Sequence, residues 1–125
     1  MAFDQATIDK LRAFVRDGTF DSVSQYAEIG HFNSWRTKWA LAQFGPRSPI
    51  GPLKHLKREA DEAITKPQDI TEYADCLHCL LHAAQCAGFS LGELIGAAWK
   101  KLSENILREW PETVGDEPTE HIRSE

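Results

Sequence analysis

Four acidic side chains lie in two pairs on either side of Pro67. Glu59 and Glu62 precede the proline by eight and five residues, and Glu72 and Asp75 follow it by five and eight. Residues three apart lie on one face of an α-helix. If Pro67 lies in a turn between antiparallel helices, equidistant residues share a height, and the two heights differ by about 4.5 Å. The spacing therefore predicts four converging carboxylates.

Carboxylates this close repel one another unless a cation lies between them. Hard oxygen ligands suit Mg²⁺ or Mn²⁺, and two or more such ions are typical of displacement at phosphorus. The alternative is a solvated helix surface, since acids favour helix N-termini. That explains Glu72 but not Glu59 and Glu62, which fall near the C-terminal end of a helix, where the helix dipole disfavours acids. We therefore interpret all four as metal ligands and catalytic acids.

Periodic apolar residues predict the helices that position these acids. No segment has the alternation of a strand, so we expect an all-α fold, an antiparallel helical bundle with a central metal-binding hairpin. The stretch 19–34 is weakly periodic, and Gly30 is expected to break it. The predicted helices run from Asp4 to Asp17, Ser34 to about Gly45, Pro52 to about Thr65, Ile70 to Gly88, and Ser90 to about Glu109.

Length and charge restrict the possible functions. The 125 residues suit one domain, 1–111, followed by an acidic tail, 112–125, that we expect to be mobile. The net charge of −5 argues against a nucleic-acid polymer as partner. No apolar run is long enough for a membrane span, and the N-terminus does not resemble a signal peptide, so we expect a cytoplasmic protein. Three closely spaced cysteines are expected to be reduced thiols.

Cationic and aromatic residues are candidates for binding a substrate. Lys101, Asn105 and Arg108 share one helix face and would contact an anionic ligand, whereas a solvated surface is the alternative. For a purine base we expect flat apolar groups beside a few polar ones. The remaining candidates are Lys54 for phosphate, Trp39, Trp35, Phe44 and His55 around the base, and Asn33 as a reader of the base edge. Alternatively, the tryptophans belong to the core.

Three rival interpretations stay open at this point. The run Cys76-Leu77-His78-Cys79 together with His82 suggests zinc, although all of these ligands would lie on one apolar helix. A di-iron carboxylate bundle needs two E-x-x-H motifs, and only Glu28 with His31 and Asp75 with His78 come close. The third is a non-enzymatic helical adaptor that associates through apolar faces and carries the acids for solubility.

The order of the motifs resembles a known family. E-x-x-E, a short turn and E-x-x-D on adjacent helices resemble the MazG-like all-α nucleoside triphosphate pyrophosphohydrolases. More narrowly, GPLKHLKREADEA, EYADCLHCLLHAAQCAGFS and KLSENILREWP are similar to the phage and bacterial dATP/dGTP pyrophosphohydrolases. The resemblance extends from about Trp39 to Pro111 and includes the Phe44-Gly45-Pro46 element.

The resemblance implies that a purine nucleoside triphosphate is cleaved to its monophosphate and pyrophosphate. The expected substrate is dGTP, with GTP and dATP as alternatives, and the four acids would hold Mg²⁺ or Mn²⁺. It also implies a homo-oligomer, a dimer or tetramer, and a role in phage 2-aminoadenine nucleotide supply. The nine-residue spacer between the acidic pairs is shorter than in many broader MazG-like sequences.

Overall fold

The described part of the chain is helical. A computed structural model describes residues 4–17, 29–112 and 115–123. Within these ranges there is no β-strand, which confirms the all-α prediction, and every helix is too short or too polar to cross a lipid bilayer. The helices are α1 (Gln5–Arg16), α2 (Ile29–Phe44), α3 (Ile50–Thr65), α4 (Ile70–Cys86) and α5 (Leu91–Leu107).

A tight turn joins α3 to α4 and sets the register of this hairpin. The backbone N–H of Lys66 donates to the carbonyls of Glu62 and Ala63, both at 3.1 Å, which ends α3. Asp69 caps α4 because its carboxylate accepts hydrogen bonds from the Thr71 backbone N–H at 3.0 Å and the Thr71 hydroxyl at 2.6 Å. These contacts place the end of one helix beside the start of the next.

Two helices begin earlier than the sequence predicts. α2 starts at Ile29 and continues through Gly30, so Gly30 does not break it. A glycine inside a helix costs only about 1 kcal/mol relative to alanine, which neighbouring turns can outweigh. α3 starts at Ile50, two residues before Pro52, which lies in the first turn, where no backbone donor is needed. Residues 19–28 of the predicted irregular connection lie outside the described residues.

The core lies between α1, α2 and α4. The backbone N–H of Asp4 donates to the carbonyl of Ala42, tying the start of α1 to the end of α2. Phe14 packs edge-on against Trp35, with ring centroids 5.3 Å apart. The buried apolar residues are Ile8 and Leu11 on α1, Ala40 and Ala42 on α2, and Cys79, Leu81 and Ala83 on α4. Small side chains dominate this set, so the helices approach closely.

The chain divides into two compact units, Met1–Leu91 and Gly92–Glu125. In the second unit, the backbone N–H of Ile122 donates to the carbonyl of Glu109 at 2.7 Å. The Trp110 and His121 rings meet edge-on at 5.8 Å. The described part of the tail therefore contacts the residues that follow α5. The predicted division into a domain of residues 1–111 and a mobile tail stays a prediction.

Substitutions of two adjacent leucines on α4, one buried and one partly exposed, test which residues form the core. Leu81 is 4% exposed and Leu80 is 42% exposed. Leu81→Ala should lower the free energy of unfolding by about 2 to 5 kcal/mol, because it leaves a cavity among packed groups. Leu80→Ala removes the same atoms from a partly exposed side chain, so it should lower the free energy of unfolding by less than half as much. Urea unfolding of both variants measures the difference, and equal losses would contradict this packing.

Candidate active site

The α3–α4 hairpin brings three carboxylates together. One oxygen from each of Glu59, Glu62 and Glu72 lies within 4.8 Å of the other two. Glu59 and Glu62 are one turn apart near the end of α3, and Glu72 lies in the first turn of α4. The side chains of Glu59 and Glu72 are only 14% and 10% exposed, whereas Glu62 is exposed. We call these three residues the carboxylate cluster.

The hydrogen-bonding capacity of the cluster is only partly used. Glu59 Oε1 lies 2.8 Å from His55 Nε2, and Glu72 Oε1 lies 3.9 Å from Lys66 Nζ. The other oxygens, Oε2 of Glu59 and Oε2 of Glu72, are buried and have no hydrogen-bond partner among the described residues. A buried carboxylate oxygen without a partner is costly. The donor set therefore fits a hard divalent cation, for which it supplies oxygen ligands.

Repulsion among the carboxylates affects the pKa of Glu62. The close approach of the Glu59 carboxylate and its negative charge raise the pKa of Glu62, and the charges of Glu72 and Asp75 add smaller effects in the same direction. The pKa rises because the protonated form can donate to its neighbour and avoids like-charge repulsion. A bound cation would remove that repulsion. The cluster is thus electrostatically unfavourable by itself and favourable around a metal.

Asp75, the fourth predicted ligand, lies one turn beyond Glu72 on α4. It is exposed and falls outside the 4.8 Å cluster. Asp75 and Glu59 nevertheless line the same cavity. These are the two acids that lie eight residues from Pro67 and were predicted to share a height along the hairpin. The structure therefore brings three of the four acids into direct proximity and places the fourth beside them. The ligand and catalytic roles of all four stay predictions.

A cavity of about 470 Å³ lies between α2, α3 and α4. Glu59 and Asp75 are the wall residues nearest the hairpin turn, and Trp39 and Phe44 supply aromatic walls from α2. The rings of Trp39 and Phe44 meet edge-on at 5.4 Å. The basic wall residues are Arg36, Arg47, Arg58, His55, His78 and His82. The cavity thus combines acids at one end with flat rings and cationic groups, as a metal-bound nucleotide would need.

Some of the residues predicted to bind the base or the phosphates line this cavity, and others do not. Trp39, Phe44 and His55 line the cavity, whereas Lys54 is exposed and is not among its described walls. Asn33 is not a described wall residue either, and its Oδ1 accepts a hydrogen bond from Arg36 Nε at 2.8 Å. Trp35 packs against Phe14. The alternative that tryptophans serve packing thus applies to Trp35, whereas Trp39 lines the cavity.

Sequence reasoning missed Arg36 and Arg47, set Arg58 aside as an ordinary surface cation, and weighed two histidines as zinc ligands. Arg36, Arg47 and Arg58 line the cavity, but no pattern separates them from surface cations in one dimension. His78 and His82, weighed as zinc ligands, are cavity walls. Burial and the positive charge of Arg36 lower the pKa of each histidine. Among the described residues, the carboxylate cluster is the one group of three or more potential ligands, so zinc gains no support.

The cysteines are free thiols, as predicted. Cys79 is buried, and Cys76 and Cys86 are half-buried. Burial is the main cause that raises the pKa of Cys79, and the charge of Glu59 adds to it. Small apolar packing groups therefore describe them better than ligands do. The di-iron alternative rested partly on Glu28, which lies outside the described residues.

The predicted phosphate-binding face lies on α5 in the second unit. Arg108 Nη1 donates to Asn105 Oδ1 at 3.0 Å, and Lys101 Nζ lies 3.3 Å from Glu104 Oε2. The Trp110 indole N–H donates to the carbonyl of Asn105 at 2.7 Å. Asn105, in the last turn of α5, and Arg108, the residue directly after the helix, are thus held together. Contact of Lys101, Asn105 and Arg108 with a substrate stays a prediction.

The fold and the site define a class: an all-α, metal-dependent nucleoside triphosphate pyrophosphohydrolase of the MazG-like type. More narrowly, the chain belongs to the dATP/dGTP pyrophosphohydrolase family, whose model matches residues 32–125. This membership confirms the resemblance seen in the sequence and favours an enzyme over the adaptor. No curated protein sequence gives a significant match.

One solved structure to which the chain is similar comes from cyanophage S-2L. It is a MazG-like pyrophosphohydrolase bound to dGDP and three catalytic Mn²⁺ ions per active site. The two sequences are 26% identical, the TM-score is 0.63, and the match covers 81% of this chain and 99% of that chain.

Repulsion within the cluster predicts how stability depends on pH without metal. The folded state raises the pKa of Glu62, so it holds the proton more tightly than the unfolded state does. Stability should therefore fall as pH rises above about 4.5, the ordinary pKa of this group. Glu62→Gln should melt at a higher temperature than wild type at pH 7 in EDTA, and the pH-dependent loss should shrink.

Asp61→Asn is the matched control, because it removes one negative charge from an exposed neighbour outside the cluster. Thermal unfolding between pH 4 and pH 8 compares the two variants. Equal stabilisation by both would assign the effect to net charge rather than to repulsion within the cluster.

Proposed function

We propose that this protein hydrolyses dGTP to dGMP and pyrophosphate with Mg²⁺ or Mn²⁺. The observation that carries the proposal is the carboxylate cluster, with two buried oxygens that have no partner among the described residues, beside a cavity lined by aromatic and cationic side chains. Family membership supports a purine deoxynucleoside triphosphate, and the dGDP in the S-2L relative supports guanine. GTP and dATP are the alternative substrates.

Glu59, Glu62, Glu72 and Asp75 would hold the ions, two or more per site. The S-2L relative, with three catalytic Mn²⁺ ions, supports this number. Bound divalent ions neutralise phosphate oxygens and make a bound water a stronger nucleophile. The chain contributes orientation: the His55 ring, 2.8 Å from Glu59 Oε1, fixes one carboxylate and leaves Oε2 for a ligand.

The other cavity residues would bind and orient the nucleotide. Trp39 and Phe44 offer ring faces to a purine, and Arg47 and Arg58 offer positive charge. Lys101 and Asn105 on α5, and Arg108 directly after it, would contact the triphosphate. Asn105 prepares this contact by orienting Arg108 through the 3.0 Å hydrogen bond. Lys54, exposed on α3, would have a supporting electrostatic role only.

We further propose that the enzyme is a homo-oligomer, a dimer or a tetramer. Ile64 and Tyr73 on the hairpin are large and exposed. Apolar surface of this kind favours association with another copy. We also propose that the enzyme acts in the cytoplasm, where nucleoside triphosphates are available, and serves phage 2-aminoadenine nucleotide supply.

Hydrolysis assays with cluster variants test the proposed activity. Wild type with Mn²⁺ should release pyrophosphate from dGTP, and EDTA should abolish the release. Glu59→Gln and Glu72→Gln should each lower kcat/KM by at least about 100-fold, because each removes a ligand charge. They should also abolish the rise in melting temperature on adding Mn²⁺. Asp61→Asn should keep both properties.

The two readouts distinguish the possible failures of this proposal. Mn²⁺ stabilisation that survives both substitutions would place the metal elsewhere. If both variants lose the stabilisation by Mn²⁺ but wild type cleaves no purine triphosphate, the metal site is retained and the proposed substrate is rejected.

Arginine 108 gives a separate test of the predicted triphosphate contact. Arg108→Ala should lower kcat/KM for dGTP and dATP alike by about 10- to 100-fold, as expected for a lost charged hydrogen bond. Lys100→Ala is the control, because Lys100 is a nearby cation on α5 that is not one of the predicted substrate-binding residues. Steady-state kinetics with both substrates measures the effect. An Arg108→Ala variant that matches the control would remove α5 from substrate binding.

A further inference from the structure

Arg36 is a buried cation whose hydrogen bonds go to neutral groups. The residue is 4% exposed on α2. Its Nε donates to Asn33 Oδ1 at 2.8 Å, and its Nη2 donates to Thr37 Oγ1 at 3.0 Å and to Gln85 Oε1 at 3.1 Å. Its Nη1 is buried and has no hydrogen-bond partner among the described residues. The guanidinium is held on two nitrogens and unsatisfied on the third.

Such an arrangement is poor for stability alone. Burial removes water from the charge, and this desolvation lowers the pKa of Arg36. A buried donor without an acceptor adds a further cost. An apolar side chain of similar size would avoid both. An arginine fixed in this way is better explained by an acceptor on a ligand.

The position of Arg36 in the cavity indicates which part of a nucleotide reaches it. Gln85, which accepts from Arg36, follows Asp75 by ten residues, so it lies about 15 Å farther along α4. The carboxylates near the hairpin turn would hold the phosphates, and the base is the opposite end of the nucleotide. Aromatic rings surround this part of the cavity, since Phe44 lies 5.3 Å from His82 between centroids.

We propose that Arg36 determines base specificity by donating a hydrogen bond from Nη1, its one nitrogen without a partner among the described residues, to O6 of guanine. Guanine presents two acceptors on this edge, whereas adenine presents N7 beside the N6 amino donor, which cannot accept. Arg36 would therefore select dGTP over dATP. Asn33 and Gln85 are positioning residues that hold the guanidinium in the plane of the base. This assignment rests on the proposed guanine nucleotide activity.

Binding of mononucleotides tests this role without requiring hydrolysis. Calorimetry in EDTA would measure the affinity of dGMP and dAMP for wild type, Arg36→Met and Lys38→Met. Lys38 is an exposed cation two residues along α2 that lies outside the described cavity walls. Arg36→Met should weaken dGMP binding by about 10- to 100-fold and change dAMP binding by less than about threefold. Lys38→Met should change neither.

The 2-aminopurine deoxyribonucleoside monophosphate, which carries hydrogen in place of O6, tests the contact itself. Wild type should bind it more weakly than dGMP. In Arg36→Met the two nucleotides should bind equally, because the partner of O6 is gone. Arg36→Lys, which keeps the charge but loses the hydrogen bonds to Asn33 and Gln85 that orient the guanidinium, should retain only part of the preference for guanine.

Several outcomes would overturn the role of Arg36. Equal loss of dGMP and dAMP would make Arg36 a phosphate ligand, and no loss of either would make it structural. Wild type that binds neither mononucleotide would also overturn it. If Arg36→Met fails to fold, Gln85→Leu releases the guanidinium without removing its charge and should reduce the preference for dGMP over dAMP. Absence of dGTP hydrolysis together with selective dGMP binding would reject the proposed activity while retaining Arg36.

Discussion

Electrostatic repulsion among the carboxylates on the α3–α4 hairpin is the constraint on which the site depends. The hairpin turn holds Glu59, Glu62 and Glu72 within 4.8 Å of one another, although their charges oppose this arrangement. The raised pKa of Glu62 is the visible result. A fold that keeps such a cluster must spend stability on it, and a bound divalent cation reverses the sign of the interaction. Metal binding and folding should thus be coupled.

The packing of α2 against α4 extends the metal site into a nucleotide site. Small buried residues such as Ala40 and Ala83 allow a close approach, while Trp39 and Phe44 on α2 line the cavity. Arg36 joins the two helices through Gln85, so the same contact that builds the fold also orients a cation within the cavity wall. Acids near the hairpin turn, and the Arg36 guanidinium of α2 beside Gln85 farther along α4, give the cavity a polarity that matches a nucleotide with metal-bound phosphates.

Local patterns predicted much of this arrangement, because its most informative parts are local. Pro67 and Asp69 marked the turn and the cap, and counting outward from Pro67 identified the acids that converge. The start of α2 was wrong because Gly30 is only weakly unfavourable in a helix and neighbouring turns outweigh it. Arg36 was missed because its burial and its bond to Gln85, 49 residues away, depend on tertiary contacts. Asn33, predicted to read the base edge, accepts a hydrogen bond from Arg36, and its contact with a base stays a prediction.

The most direct test of the metal-site account is anomalous X-ray scattering from crystals grown with Mn²⁺ and a non-hydrolysable dGTP analogue. The account predicts anomalous peaks within coordination distance of Glu59, Glu62 and Glu72, with Asp75 completing the ligand set. Peaks elsewhere on the protein, or an ordered nucleotide whose phosphates lie away from these carboxylates, would contradict it.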